Sequence, residues 1–126
     1  MHWRFEDFVT EHGRNRIHDW LGDVPKRAKA AINVQIGLLA LGERLGRPDV
    51  GHLHRPPCSG LVELRLTVDK ALYRPLGVIR GDRVILLMGA MERGNRFDPP
   101  DACQTARERL NLLDTGRATT CEHDIT

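Results

Sequence analysis

The apolar positions of residues 1–116 fall into seven runs, and their spacing shifts between two and three to four. Trp3 to Val9 alternates, with Trp3, Phe5 and Asp7 on one face and Arg4, Glu6 and Phe8 on the other, which predicts a strand. Glu11-His-Gly-Arg-Asn is a turn, and Asn15 stands where it can cap a short helix to Leu21 that turns Ile17, Trp20 and Leu21 inward. A second helix runs from Pro25 to about Arg44. Asp23 or Val24 is its expected N-cap, with proline first, where a missing N–H costs nothing. Ala28, Ile32, Ile36 and Leu39 form one stripe and Ala31, Val34, Leu38 and Leu41 the adjacent one, a wide apolar face suited to lying across a sheet. Gly42 and Gly46 mark its end. Residues 46–60, with three prolines and three glycines, read as a long loop.

A three-strand meander follows. In Leu61-Val-Glu-Leu-Arg-Leu-Thr-Val68, Val62, Leu64, Leu66 and Val68 alternate with Glu63, Arg65 and Thr67. The second segment is Ala71 to Ile79 and the third Arg83 to Met88, with tight turns at Asp69-Lys70 and Gly81-Asp82. Pro75 has no N–H for a ladder, so it demands a bulge or an N–H position that points away from the neighbouring strand. Asp98-Pro-Pro opens a last helix with Ala102, Ala106, Leu110 and Leu113 on one face. Beyond Gly116 there is no periodicity, so the expectation is a domain over 1–116 and a flexible tail over 117–126. The order β-α-α-β-β-β-α predicts an α+β fold, an antiparallel sheet with helices packed on one face.

The meander carries arginines, and this changes the picture. A guanidinium in a strand must stay solvated, be paired, or bind an anion, and its fork matches phosphate oxygens. Arg65 and Arg74 stand in the first two segments, and Arg93 and Arg96 follow the third in Met91-Glu-Arg-Gly-Asn-Arg96. Residues 61–97 hold seven basic residues against four acids, and residues 98–126 three against six. A basic centre with an acidic tail hints at a polyanionic partner, although the net charge is only +2. Glu63 shares a face with Arg65 by the period of two, as a proton acceptor or as an ion-pair partner. His52 and His54, with Cys58 nearby, superficially resemble metal ligands, but no second close pair follows. They fit better as acid–base or contact residues at the rim of a site, and no metal or cofactor is expected.

At 126 residues the chain is one domain. No apolar run approaches a membrane span, and the charged start Met1-His-Trp-Arg-Phe-Glu-Asp is no signal peptide. Cys58, Cys103 and Cys121 contain no CxxC and leave one cysteine over, which favours a reducing cytoplasm over a disulfide scaffold.

This order, with Val24-Pro25-Lys-Arg-Ala, Glu63-Leu-Arg65, Tyr73-Arg74, Val84-Ile-Leu-Leu-Met-Gly89, a basic loop and a Pro-led helix, resembles the RelE/ParE superfamily of bacterial toxins, closest to its phage-derived, HigB-like branch. The resemblance covers about Trp3 to Leu113. It implies a RelE-like fold and a metal-independent endoribonuclease that cuts messenger RNA on the ribosome, with a cognate antitoxin, usually a helix-turn-helix protein, as partner. It assigns catalytic roles to Arg65, Arg74 and Arg93, with Glu63 as candidate base, and RNA contacts to Arg96, His52 and His54. Two departures stand out: Ala90 replaces a usual aromatic, and Glu92-Arg93 replaces a usual pair of lysines. They leave open a ParE-like toxin of the same fold that inhibits gyrase, or a catalytically weak relative that mainly binds its antitoxin.

Overall fold

A computed structural model describes residues 2–125. Along the chain run β1 (Arg4–Thr10), α1 (Arg16–Asp23), α2 (Lys26–Leu41), β2 (Val50–His52), β3 (Val62–Leu64), β4 (Leu66–Val68), β5 (Ala71–Tyr73), β6 (Leu76–Arg80), β7 (Arg83–Met88), β8 (Met91–Arg93), β9 (Arg96–Asp98), α3 (Ala102–Asp114) and β10 (Ala118–Glu122). Asn15 caps α1 as its position suggests, accepting a hydrogen bond from the His18 N–H at 2.9 Å. Pro25 itself occupies the cap position of α2, with no side-chain cap. The helices and strands make an α+β fold, but the strand arrangement departs from a single antiparallel meander.

There are two sheets. One has the order β10-β1-β7-β6-β3-β2 and the other β4-β5-β8-β9. All pairings are antiparallel except β1 with β7. The first two expected meander segments cross from one sheet to the other, breaking at Arg65 and at Arg74-Pro75, whereas the third, Arg83 to Met88, is β7 and the chain crosses after it, at Gly89-Ala90, into β8. The breaks lie side by side, and backbone pairing continues through them. The Leu64 N–H donates to the Pro75 carbonyl at 2.9 Å and the Arg74 N–H to the Ala90 carbonyl at 2.8 Å. Pro75 therefore sits at the corner, where its missing donor leaves no gap, and a bulge between Leu76 and Gly77 follows it. Gly89 is required at the third break, because a Cβ there would stand 2.0 Å from the Trp20 ring.

The helices do not share one face. α1 and α2 cover one side of the six-stranded sheet, where Ile17, Leu21, Ile32 and Ile36 meet Phe5, Val84 and Leu86. α3 covers the other, where Ala102, Cys103 and Ala106 meet Phe8, Ile85 and Leu87. The cause is legible in β7, whose unbroken run Val84-Ile-Leu-Leu-Met88 is apolar on both sides and must be covered on both.

The tail expected to be flexible instead forms the edge strand β10, paired with β1 from Glu6↔Glu122 to Thr10↔Ala118. His123 then turns inward. Its N–H donates to the Phe5 carbonyl at 2.9 Å, and its ring joins Asp7 (2.7 Å) to Asn33 (2.8 Å). The cysteine reading is also corrected. Cys58 and Cys103 form a disulfide that ties the long loop to α3, and Cys121 is the cysteine left over. Among the described residues no helix is long and apolar enough to cross a membrane.

Candidate active site at the sheet corner

The corner brings charged side chains together because strand alternation continues through it. In the register Glu63 lies opposite Gly51 on β2 and Leu76 on β6, and Glu92 lies opposite Leu72 on β5. Arg74, two residues beyond Leu72, joins the same face as Glu92. Glu63 is 8% exposed, and its carboxylate lies over Gly51, where an added Cβ would stand 2.9 Å from Oε2. Glycine at 51 thus makes the room that Glu63 occupies.

Burial raises the Glu63 carboxyl above its ordinary pKa, because the charged form loses hydration. Arg65, Arg74 and Arg47 oppose that rise and Glu92 adds to it. The nearest cation is Arg65, whose Nη1 lies 3.7 Å from Glu63 Oε2 and whose side chain is one-third exposed.

Arg74 differs from Arg65. It is 5% exposed, and its Nη1 donates to the carbonyls of Leu66 (3.1 Å) and Tyr73 (2.9 Å). Its Nε lies 3.3 Å from Glu92 Oε1, in charge contact but out of line for a hydrogen bond. Arg74 therefore braces β4, β5 and β8 of the four-stranded sheet beside the corner and holds Glu92 there.

The face opens through a pocket of about 170 Å³ lined by Leu53, Glu63, Glu92, Asn95, Arg96 and Phe97. The β8–β9 hairpin builds its outer wall. Gly94 and Asn95 turn it with φ of +56° and +63°, the left-handed pair of a tight hairpin turn. The segment expected to be a basic loop is thus a hairpin that sets exposed Arg96 and half-buried Phe97 at the opening. Phe97 was not among the residues singled out from sequence. The alternation Arg96-Phe97-Asp98 is the signal that could have found it.

The structure separates the remaining candidates from this group. Arg93 lies on the Met91 side of β8, opposite to Glu92, and pairs with Asp98 at 2.7 Å, both exposed. His52 lies opposite Val62, on the other face from Glu63, with Nε2 2.9 Å from the Leu45 carbonyl. His54 is exposed in the loop beyond β2. Among the described residues no group of three or more His, Cys, Asp or Glu side chains could hold a metal ion. What the corner offers chemically is a shielded carboxyl of raised pKa, an adjacent guanidinium, and an exposed arginine and an aromatic at the mouth.

No curated protein and no solved structure matches the chain. Residues 19–111, about three-quarters of the chain, match the family described as phage-derived protein Gp49-like (DUF891). That span runs from α1 through nearly all of α3 and includes the whole corner. The chain therefore belongs to the Gp49-like family, a type II toxin–antitoxin toxin family of the RelE/HigB type.

Proposed function

We propose that this toxin is a metal-independent, ribosome-dependent endoribonuclease acting on messenger RNA, with the sheet corner as its active site. The observation that supports it most is Glu63: a carboxyl shielded from water, its pKa raised, beside Arg65 and open to a small pocket. Only RNA carries the internal nucleophile that such a site would activate. Glu63 takes the proton from the 2′-hydroxyl, and a base of raised pKa is better matched to that task near neutrality. The 2′-oxygen forms a bond to the adjacent phosphorus while the bond to the 5′-oxygen breaks, and that oxygen takes up a proton from solvent. The products are a 2′,3′-cyclic phosphate and a 5′-hydroxyl.

Arg65, beside Glu63, and Arg96, which lines the pocket mouth although it lies opposite Arg93 in the hairpin register, are the arginines assigned to the phosphate, whose negative charge grows in the transition state. Loss of one such group typically costs on the order of 10²–10³ in rate. Arg74, buried against Glu92 and two carbonyls, acts as a positioning residue that fixes the corner and the field around Glu63. Arg93, His52 and His54 stay in the proposal only as outer RNA contacts, because none of them lines the pocket beside Glu63.

The test is cleavage of a translated message by the purified chain, with the new ends mapped. Cyclic-phosphate and 5′-hydroxyl ends, lost in Glu63→Gln and Arg65→Ala with folding intact, are expected. Ends bearing a 5′-phosphate, or full cleavage by both variants, would refute the mechanism. A second reading is favoured by Glu92, which lies against Arg74 where the family usually has lysine: a catalytically weak relative that mainly binds its antitoxin. That reading predicts intact message with wild type. A gyrase supercoiling assay then separates it from a ParE-like toxin, which would inhibit the enzyme.

A further inference from the structure

Helix α2 buries one of its two apolar stripes and leaves the other uncovered. Ile32 and Ile36 are 1% exposed against the sheet, whereas Val34, Leu38 and Leu41 are 63%, 67% and 69% exposed. Ile125, 52% exposed, lies beside them, its Cδ1 3.6 Å from where a Cβ on Gly37 would stand. These four are all of the large apolar side chains that stand exposed among the described residues. They lie together along one groove of about 660 Å³. Clustered apolar exposure of this kind marks an interaction surface, since scattered single residues would need no explanation.

The ends of the groove differ. Lys26 and Lys29 line it at the start of α2, and among the described residues no acidic side chain lines it. The first turn of α2 carries Lys26, Arg27 and Lys29, no acid and no side-chain cap. Cations at a helix N-terminus stand against the positive end of the helix dipole, and Arg27 is answered there by Asp69 of the same chain at 3.3 Å. A partner carboxylate set beside Lys26 and Lys29 would favour both those cations and the dipole.

We propose that this face binds the antitoxin, through an amphipathic helix whose apolar stripe covers Val34, Leu38, Leu41 and Ile125 and whose acidic residues meet Lys26 and Lys29. The inference rests on the toxin–antitoxin reading of the family and adds where the partner sits. The face is built by α2 and the C-terminal segment, whereas the corner is built by the meander and the β8–β9 hairpin. Val34 and Leu38 also border a second hollow lined by Arg65, so a helix seated on this face would lie next to that arginine. Helix-in-groove recognition of this type reads anchors at spacings of three and four, and Val34, Leu38 and Leu41 are four and three apart.

The experiment measures binding of a purified candidate antitoxin, the product of the gene adjacent to this one, to wild type, to Leu38→Asp, and to Lys26→Glu/Lys29→Glu. Circular dichroism confirms that each variant is folded, as expected for exposed positions. Leu38→Asp should weaken affinity by about a hundredfold or more, as for a central anchor. The double charge reversal should slow association and remove most of its salt dependence. Tight binding of wild type with unchanged affinity in both variants would overturn the docking site while leaving the toxin reading intact. No binding of wild type by that antitoxin would overturn the toxin–antitoxin reading and the docking proposal with it. Sedimentation of the chain alone provides the remaining outcome. A wild-type dimer dissociated by Leu38→Asp, with antitoxin affinity unchanged, would show that a second copy occupies the face and refute the proposal.

Discussion

His123 offers the sharpest test of how this chain is held together. Its ring is buried between three elements: Nδ1 lies 2.7 Å from Asp7 on β1 and Nε2 2.8 Å from Asn33 on α2, while the residue itself extends β10. His123→Ala removes both contacts and leaves a buried carboxyl and a buried amide short of a partner. Asp7 keeps only its bond from Asn15 Nδ2 at 2.9 Å. A buried polar group left unsatisfied costs about 1–3 kcal/mol, more when it is charged. The two together suggest a loss of about 2–6 kcal/mol. Against a typical domain stability of about 5–15 kcal/mol this is a large fraction. Urea unfolding followed by the fluorescence of Trp3 and Trp20 would measure it, with Asp7→Ala and the double variant completing a cycle. Truncation after Gly116 should cost still more, since it also strips the β1–β10 ladder from the sheet edge. A loss below about 1 kcal/mol for His123→Ala would refute the reasoning. So would strict additivity with Asp7→Ala, or a truncated chain that melts with wild type.

Glu63→Gln should separate function from stability. Burial raises the folded-state pKa of Glu63, so the folded chain holds that proton more tightly than the unfolded chain. The group's stabilising contribution is therefore complete below the ordinary carboxylate range and lost as pH rises through the raised value. Glutamine cannot ionise, so the variant should be at least as stable as wild type at neutral pH and lose that advantage toward about pH 4. A wild type that gains stability over the variant as pH rises would reverse this sign. Gly89→Ala places a methyl group into the Trp20 ring and should cost about 1–3 kcal/mol by overpacking. Thermal unfolding should show a smaller loss in a Trp20→Leu background, and an equal loss in both would place the cause elsewhere.

The sequence by itself determined the helices and the Asn15 cap and put Glu63, Arg65 and Arg74 on the meander. These are local properties: period, capping chemistry and strand alternation are set by neighbours a few residues apart. It marked both apolar stripes of α2 for the sheet, however, where only the stripe of Ile32 and Ile36 is buried and Val34, Leu38 and Leu41 stay exposed. Tertiary structure decided which surfaces those elements met. The apolar run of β7 is covered on both sides, which sends α3 to the face opposite α1 and α2. The first two segments read as single strands bend at Arg65 and Arg74-Pro75, and the chain crosses sheets again at Gly89-Ala90 after the third, since strand period says nothing about where one sheet folds into another. β10 is held by backbone pairing and by His123, and neither leaves a hydrophobic period to read. In the same way the face a side chain takes depends on register. Arg93 is two residues from Met91 and shares its side, while Glu92 between them faces the pocket with Glu63. A one-residue difference in sequence thus separates a member of the candidate site from a residue on the opposite face, because successive side chains of a strand point to opposite sides.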